Sequence, residues 1–420
     1  MLITAPTHTW RSYLPVLFLL PLLFVEPKLA AGLLLVCVFG FGFFLASRNA
    51  DSVLVQAVFV ALVLRTFLVF ANEYFTFLPL QPDALHYSAQ AMKILDNQAR
   101  NLPIYYDIPY SLSVKSYSLF LSVFYGLLGE MPLVARVVNV LLGIMSGVMV
   151  YKISLLVFES RRTARIALLF ALFLPSIIAF TSYVLRDTLV LYLTLNMIYF
   201  TLRAQQSKRL RHVLLAGLFF ALVGIIRIQN LYLYTLFYLL YFAWMVLKSP
   251  KNRRLKFSIL TFLIIGMAVV FVVYQDFIVG VITYPLRAQP LRAEGGSAYL
   301  VNMQYNSLLD VIIYSPIRFV YFTFGPFLWN VGGAFQLLTA LEGIIVFAAF
   351  LFTIQYFRRH RMPQHQHWQL FLILFCMLGL LANAMVDSNF GTAVRHRMNY
   401  ILFFFMFAAA YFRNIKIKVL

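Results

Sequence analysis

The chain of 420 residues has fourteen carboxylates, and few of them stand where they could do chemistry. Asp83 is the clearest. It follows Pro82 within residues 81–95, a polar interruption in a chain that is otherwise nearly continuous hydrocarbon. A carboxylate so placed can take the proton from a hydroxyl. Asp187, beside Arg186, is suited to orient the hydroxyl-bearing reactant or to help hold a divalent cation. Against these acids stand Arg227 and the run Arg395-His396-Arg397. A guanidinium fork fits phosphate oxygens two at a time, and fixed cations stabilise charge that develops on a departing phosphate. Transfer from a lipid phosphate to a hydroxyl needs both kinds of group, at headgroup depth on one face. Arg65, His86 and Tyr87 complete the substrate-contact candidates.

Each of these residues also has a plainer role open to it. Asp83 suits the N-cap of its helix, where Asp satisfies backbone N–H groups. Asp187 could cap a helix beginning at Thr188 or pair with Arg186, and Arg395 and Arg397 could meet headgroups or Asp387. Arg65 lies deep in an apolar run, where an unpaired charge is costly, so a structural pair or snorkelling competes evenly with substrate contact. For Arg395 and Arg397 to converge on one phosphate the backbone should be non-helical, which Gly391 and Thr392 favour.

The elements that position these residues follow from composition. With 62% hydrophobic and 11% charged residues and a mean hydropathy of +0.85, the chain is a polytopic membrane protein rather than a soluble fold. Apolar runs cover 14–25, 29–46, 52–72, 133–155, 164–184, 188–202, 213–226, 231–247, 257–274, 336–356, 369–384 and 399–412, about twelve helices in all. The run 14–25 is read as a retained helix, since Pro21, Glu26, Pro27 and Lys28 make a poor cleavage region. Residues 83–95 read as a surface helix with its apolar stripe at Ala84/Leu85, Ser88, Ala91/Met92 and Leu95. Residues 117–128 would span roughly 18 Å, short of the ~30 Å of hydrocarbon, and read as a second interfacial helix. The pair Gly143/Gly147 reads as a helix-packing device.

The net charge of +20 is a topology signal. Basic clusters at 161–165, 203–211, 248–256, 358–361 and 413–418 fall on one side, while nearly all acids fall on the other. Cytoplasmic loops carry such an excess, which also attracts anionic lipid, and nucleic acid is set aside as a partner. The two cysteines, Cys37 and Cys376, lie in apolar runs and form no disulfide framework. His360, His365 and His367 lack nearby carboxylates or thiolates, so they do not suggest a metal site. Two outer loops are long, 73–132 and 277–335, the second containing a flexible Gly295-Gly296-Ser297 hinge. Long ordered loops on one face usually carry function. No internal repeat is visible.

The order of these features resembles the GT-C superfamily of polyprenyl-phosphate-sugar glycosyltransferases, which includes the dolichyl-phosphate-mannose protein mannosyltransferases and the lipid A aminoarabinose transferases. Leu64-Arg65 leads to the first outer loop. Asp83 then precedes Tyr87, Ala91 and Leu95 at Tyr-x-x-x-Ala-x-x-x-Leu spacing. Tyr125-Gly126-Leu127-Leu128-Gly129 ends the second surface helix, and Val134-Ala135-Arg136 through Gly143 begins the next span. Arg186-Asp187 falls where the family often places a second acid, and Gly391-Thr392-Ala393-Val394-Arg395-His396-Arg397 resembles the family's Gly-Thr-x-x-Arg-Tyr-Arg. Many members carry two adjacent acids in the first loop. Here Pro82 and Ala84 flank Asp83, which leaves a metal requirement open.

The resemblance implies an all-α bundle with two extra N-terminal helices (1–50), a catalytic core (51–202) and C-terminal helices (203–420). It implies a glycosyltransferase on the outer face of a bacterial cytoplasmic membrane. That enzyme would move a sugar from a polyprenyl-phosphate donor to a glycan, lipid or protein acceptor, with Asp83 as base and inversion at the sugar carbon. Two alternatives stay open: a glycan polymerase or ligase using lipid-pyrophosphate oligosaccharide, and a lipid or glycan flippase. A flippase should line a mid-membrane cavity with charge, whereas here Glu342 is the clearest acid inside a span.

Overall fold

A computed structural model describes residues 26–48, 50–79, 81–248, 261, 279–280, 283–293, 295–359 and 367–413. Among the described residues there are 15 α-helices and no strand. The chain falls into two compact units, residues 1–152 with 168–199, and residues 153–167 with 200–420.

The first unit contains α1 (Pro27–Ala46), α2 (Ser52–Phe75), α3 (Pro82–Ala99), α4 (Leu112–Leu128) and most of α5 (Pro132–Phe158). It also takes in the end of α6 (Arg161–Phe173), then α7 (Pro175–Thr181) and most of α8 (Arg186–Ser207). The second holds α9 (Leu210–Ile226), α10 (Ile228–Lys248), α11 (Tyr284–Arg292) and α12 (Leu308–Phe324). It is completed by α13 (Ala334–Arg359), α14 (His367–Ala384) and α15 (Phe390–Phe412).

Among the described residues, six helices are long and apolar enough to cross a membrane: α1, α2, α5, α10, α13 and α14. The pair α6 and α7 makes a seventh if a bend of 55° is counted as one span. Helices α4 and α9 are apolar but shorter, whereas α8 and α15 have the length, 22 and 23 residues, but are more polar at their ends. The expected runs 14–25 and 257–274 lie outside the described residues, as does most of the 360–367 histidine segment. The chain is a multi-pass membrane protein.

Local sequence explains how the elements begin and break. Proline at N1 opens α3, where its missing N–H costs nothing. A reciprocal Ser307–Asp310 capping box opens α12. The bend between α6 and α7 falls at Leu174-Pro175, as a proline that removes a helical hydrogen bond requires. The carbonyls loosened there find Arg65. This side chain of α2 is fully buried, and it donates to Leu172 O at 2.6 Å, Ala171 O at 3.4 Å and Thr181 Oγ1 at 2.8 Å. A Cβ on Gly143 would lie 2.8 Å from both Arg65 Nη1 and Thr181. Only a glycine lets α5 come this close.

In the second unit α15 is buried almost all round, the mark of a core helix. It packs against α13, α14 and α12. The long loop before α12 is sewn to the start of α15: Tyr299 N donates to Ser388 O at 2.8 Å, and Phe390 N to Ser297 O at 2.9 Å. The Gly295–Ser297 segment, expected to be a free hinge, is thus docked. Gly295 supplies the positive φ of 85° that the turn into this bridge requires.

Candidate active site

Helix α3 presents Asp83 in its first turn, half-buried. The N-cap is Gln81, which corrects the capping role expected for Asp83. An acid in the first turn still complements the helix dipole. The buried face of α3 is Tyr87, Ala91, Ile94 and Asn97; of the apolar stripe expected to face the membrane, Ala91 is buried and Leu85 is 67% exposed. Tyr87 meets the ring of Tyr117 edge-on, with centroids 4.8 Å apart. Asn139 Nδ2 donates to Tyr117 Oη at 3.2 Å, to Tyr183 O at 2.5 Å and to Leu185 O at 3.0 Å. Those two carbonyls belong to the segment that leads into α8, whose first turn carries the buried Asp187. Tyr183 closes the circuit by donating to Pro79 O at 2.7 Å, just before α3.

A run of rings and hydrogen bonds therefore ties the backbone of the Asp83 helix to that of the Asp187 helix. Its phenols stay protonated. Burial pushes the Tyr183 hydroxyl up to about 12 and raises that of Tyr117 well above its ordinary value. They act as donors and acceptors at neutral pH, and the proton-accepting chemistry falls to the carboxylates. His86 points elsewhere on α3: it is exposed, with Nδ1 3.3 Å from the Tyr110 hydroxyl. Arg65 is engaged at the α6–α7 bend.

The second unit gathers arginines around acids. Arg227 sits between α9 and α10 with an extended backbone (φ −147°, ψ 92°) and is 6% exposed. Its Nη2 lies 2.8 Å from His396 Nε2, and His396 Nδ1 lies 2.6 Å from Asp387 Oδ2. Arg292 Nη1 donates to the other oxygen of Asp387. Burial alone would raise the Asp387 carboxyl, but His396 and Arg292 outweigh it and hold the group well below the usual carboxylate range. One residue on, Ser388 Oγ accepts from Arg318 at 2.8 Å and from Gln289 at 3.1 Å.

Residues 395–397 lie on a helix, since α15 starts at Phe390. The non-helical backbone expected at Gly391 is absent, so successive side chains turn to different faces instead of converging. Arg397 is fully buried and donates to Thr323 O at 3.0 Å and to Gly325 O, with Glu342 Oε1 3.7 Å away. Arg395 is half-buried.

Residues 116–274 match the family model of the dolichyl-phosphate-mannose-protein mannosyltransferases. That family is one of the GT-C superfamily. In general terms the match supports a membrane glycosyltransferase of the polyprenyl-phosphate-sugar mannosyltransferase type. The GT-C match takes in Tyr117, Asn139, Asp187 and Arg227, while Asp83 and Arg395–Arg397 lie outside it. No curated protein and no solved structure matches the chain.

Sequence reasoning had not singled out Tyr117, Asn139, Arg292 or Arg318. Arg318 carried a signal, standing alone among apolar residues of the run 305–324. Asn139 sat inside the family-like motif without a role. Among the described residues no group of three or more His, Cys, Asp or Glu side chains comes together to hold a metal ion. The described donor set does not fit one, and no step below is routed through a metal.

Proposed function

We propose that this glycosyltransferase uses Asp83 as the base that deprotonates an acceptor hydroxyl on the outer face of the membrane. The hydroxyl then attacks the sugar carbon of a polyprenyl-phosphate donor in one displacement, with inversion. The carbon–oxygen bond to phosphate breaks, and the electron pair leaves with the lipid phosphate. Charge accumulates on that phosphate in the transition state, so a fixed guanidinium there lowers the barrier more than it tightens substrate binding. Asp187 orients the acceptor. The acceptor is a glycan, lipid or protein hydroxyl.

One observation carries this reading. Asp83 stands half-buried at the N-terminus of a helix whose backbone is tied, through Tyr87, Tyr117, Asn139 and Tyr183, to the helix of Asp187. A base has to be held still and yet be reachable, and Asp83 meets both conditions.

The test is Asp83→Asn. The amide fits the first turn but cannot accept the proton, so folded protein should persist while turnover of polyprenyl-phosphate mannose by purified protein falls by about 10²–10⁴-fold. Turnover at the wild-type rate would leave Asp83 a structural residue. Sidedness is read separately, in protein lacking Cys37 and Cys376. Cysteines at Ser88 and Ser307 should react with an impermeant thiol reagent in intact cells, and a cysteine at Ser160 only after lysis. Labelling of Ser160 from outside would overturn the assignment of faces.

A further inference from the structure

Charge in the first unit collects where α1 starts, α2 ends and α5 starts. Arg136, near the start of α5, donates from Nη1 to Glu73 Oε2 at 2.8 Å, in the last turn of α2. Lys28, near the start of α1, donates to the other oxygen of that carboxylate at 3.3 Å and also meets the exposed Glu26 at 3.1 Å. One carboxylate thus holds two cations. From Leu133 to Val140 every residue of α5 is buried except Arg136, whose side chain is 26% exposed. The guanidinium is fixed at one nitrogen and still open to the surroundings.

Arg136 stands among the residues that hold the helices of the two acids. It lies three residues before Asn139, on the same face of α5, and Asn139 holds the carbonyls of Tyr183 and Leu185 on the way to Asp187. The Tyr183 hydroxyl donates to Pro79 O, and the Tyr125 hydroxyl shares a 2.9 Å hydrogen bond with Ser88. Those two tethers bracket Asp83 along the chain. Burial raises both hydroxyls, and the charge of Arg136 is near enough to pull against the rise in each. Arg136, Asp83, Asp187 and both tyrosines belong to one compact unit.

We propose that Arg136 is the ligand of the donor's phosphate, held at one nitrogen by Glu73 and offering the rest of its fork to the phosphate oxygens. The inference rests on the reading of the chain as a polyprenyl-phosphate-sugar transferase with Asp83 as base. It supplies the cation that this reading requires, in the unit that holds both acids. On the outer face so assigned, α5 begins at headgroup depth, where a lipid phosphate is found. Arginine suits the task because its planar fork can meet Glu73 with one nitrogen and phosphate with others. The released phosphate monoester carries more negative charge than the diester of the donor. The contact therefore tightens as the bond to the sugar breaks.

Because the released lipid keeps this phosphate, the site can be read without knowing the sugar or the acceptor. The measurement is binding of undecaprenyl phosphate and of undecaprenol to purified, folded protein in detergent. The wild type should prefer the phosphate. Arg136→Ala should lose about 10- to 100-fold in affinity for undecaprenyl phosphate, the worth of a charge-assisted contact, with affinity for undecaprenol unchanged. Glu73→Gln breaks the ion pair as fully but leaves the guanidinium and an acceptor for it, so it should stay within about threefold of the wild type. Equal losses in the two variants would make Arg136 a structural partner of Glu73 and overturn the proposal. An equal loss for both lipids in Arg136→Ala overturns it too, as does phosphatidylglycerol competing on level terms with undecaprenyl phosphate, the sign of a general headgroup contact. Should Arg136→Ala not fold, Arg136→Lys decides: charge without the fork should lower phosphate affinity by about tenfold, and wild-type affinity overturns the role. A wild type with no preference for the phosphate sinks the donor class and Arg136 with it. Normal turnover in Asp83→Asn removes the base alone, since phosphate binding is measured without turnover.

Discussion

Two buried clusters, one in each unit, handle polarity in opposite ways. Around Arg65 and Asn139 the first unit works with neutral partners, namely backbone carbonyls, a threonine hydroxyl and tyrosines. Around Asp387 the second sets an arginine and a histidine on a carboxylate. Dipoles settle a charge without depending on any other group's protonation state. Counter-charges settle it more strongly, but each then needs the other, and removing one leaves the other stranded in a low-dielectric setting. The fold of the first unit should therefore be less sensitive to single charge deletions than that of the second.

The largest effect expected from this contrast is Asp387→Ala. It strands Arg292 and releases His396, and should cost about 3–5 kcal/mol, the range for breaking a buried pair, read as a fall in thermal stability of detergent-purified protein. The sign of the pH dependence follows. Because the folded carboxyl titrates below its unfolded value, its stabilisation is present above about pH 4. It is lost only as pH falls towards the folded pKa. The wild type should keep this contribution from pH 8 to pH 5, and melting that drops steeply across that window would contradict the assignment.

Next in size comes Arg65→Leu. Loss of the brace leaves the carbonyls of Ala171 and Leu172 at the bend without their donor, at about 1–3 kcal/mol. If this variant is as damaging as Asp387→Ala, the contrast between the units fails. Smallest is Tyr117→Phe, which removes one hydroxyl from the Asn139 network and should cost about 1 kcal/mol. A larger loss of turnover than of stability in that variant would sharpen the comparison, showing that the network serves the placement of Asp83 and Asp187 more than the fold.

Helix positions were largely legible in the sequence, because long apolar runs bounded by basic clusters leave few alternatives. Faces were less so. On α3 the pattern set an apolar stripe at Ala84/Leu85, Ser88, Ala91/Met92 and Leu95 towards the membrane and did not mark Tyr87 and Asn97, which are buried. In a chain whose surroundings are themselves apolar, hydrophobicity does not mark the inside. Small and polar residues do so at least as well. The backbone at Gly391 was misread for a related reason. Glycine permits a break, but Asn389 caps the helix by accepting from Gly391 N at 2.8 Å, and the burial of α15 holds it straight. The pairing of Arg227 with His396 spans 169 residues, and no local pattern announces it.

Arg65 also bears on how the chain enters the membrane. Its carbonyl partners lie 106 and 107 residues further along, so α2 must be threaded into the bilayer before they have been synthesised. A lone arginine at mid-helix opposes insertion by about 2.5–3.5 kcal/mol, and each leucine, valine or phenylalanine favours it by about 0.3–0.6 kcal/mol. The high mean hydropathy of α2, 2.4 over its best window, lets it wait in lipid with its charge unmet. On this account the apolar excess of α2 serves biogenesis, and the arrival of the α6–α7 bend is the moment at which the first unit locks.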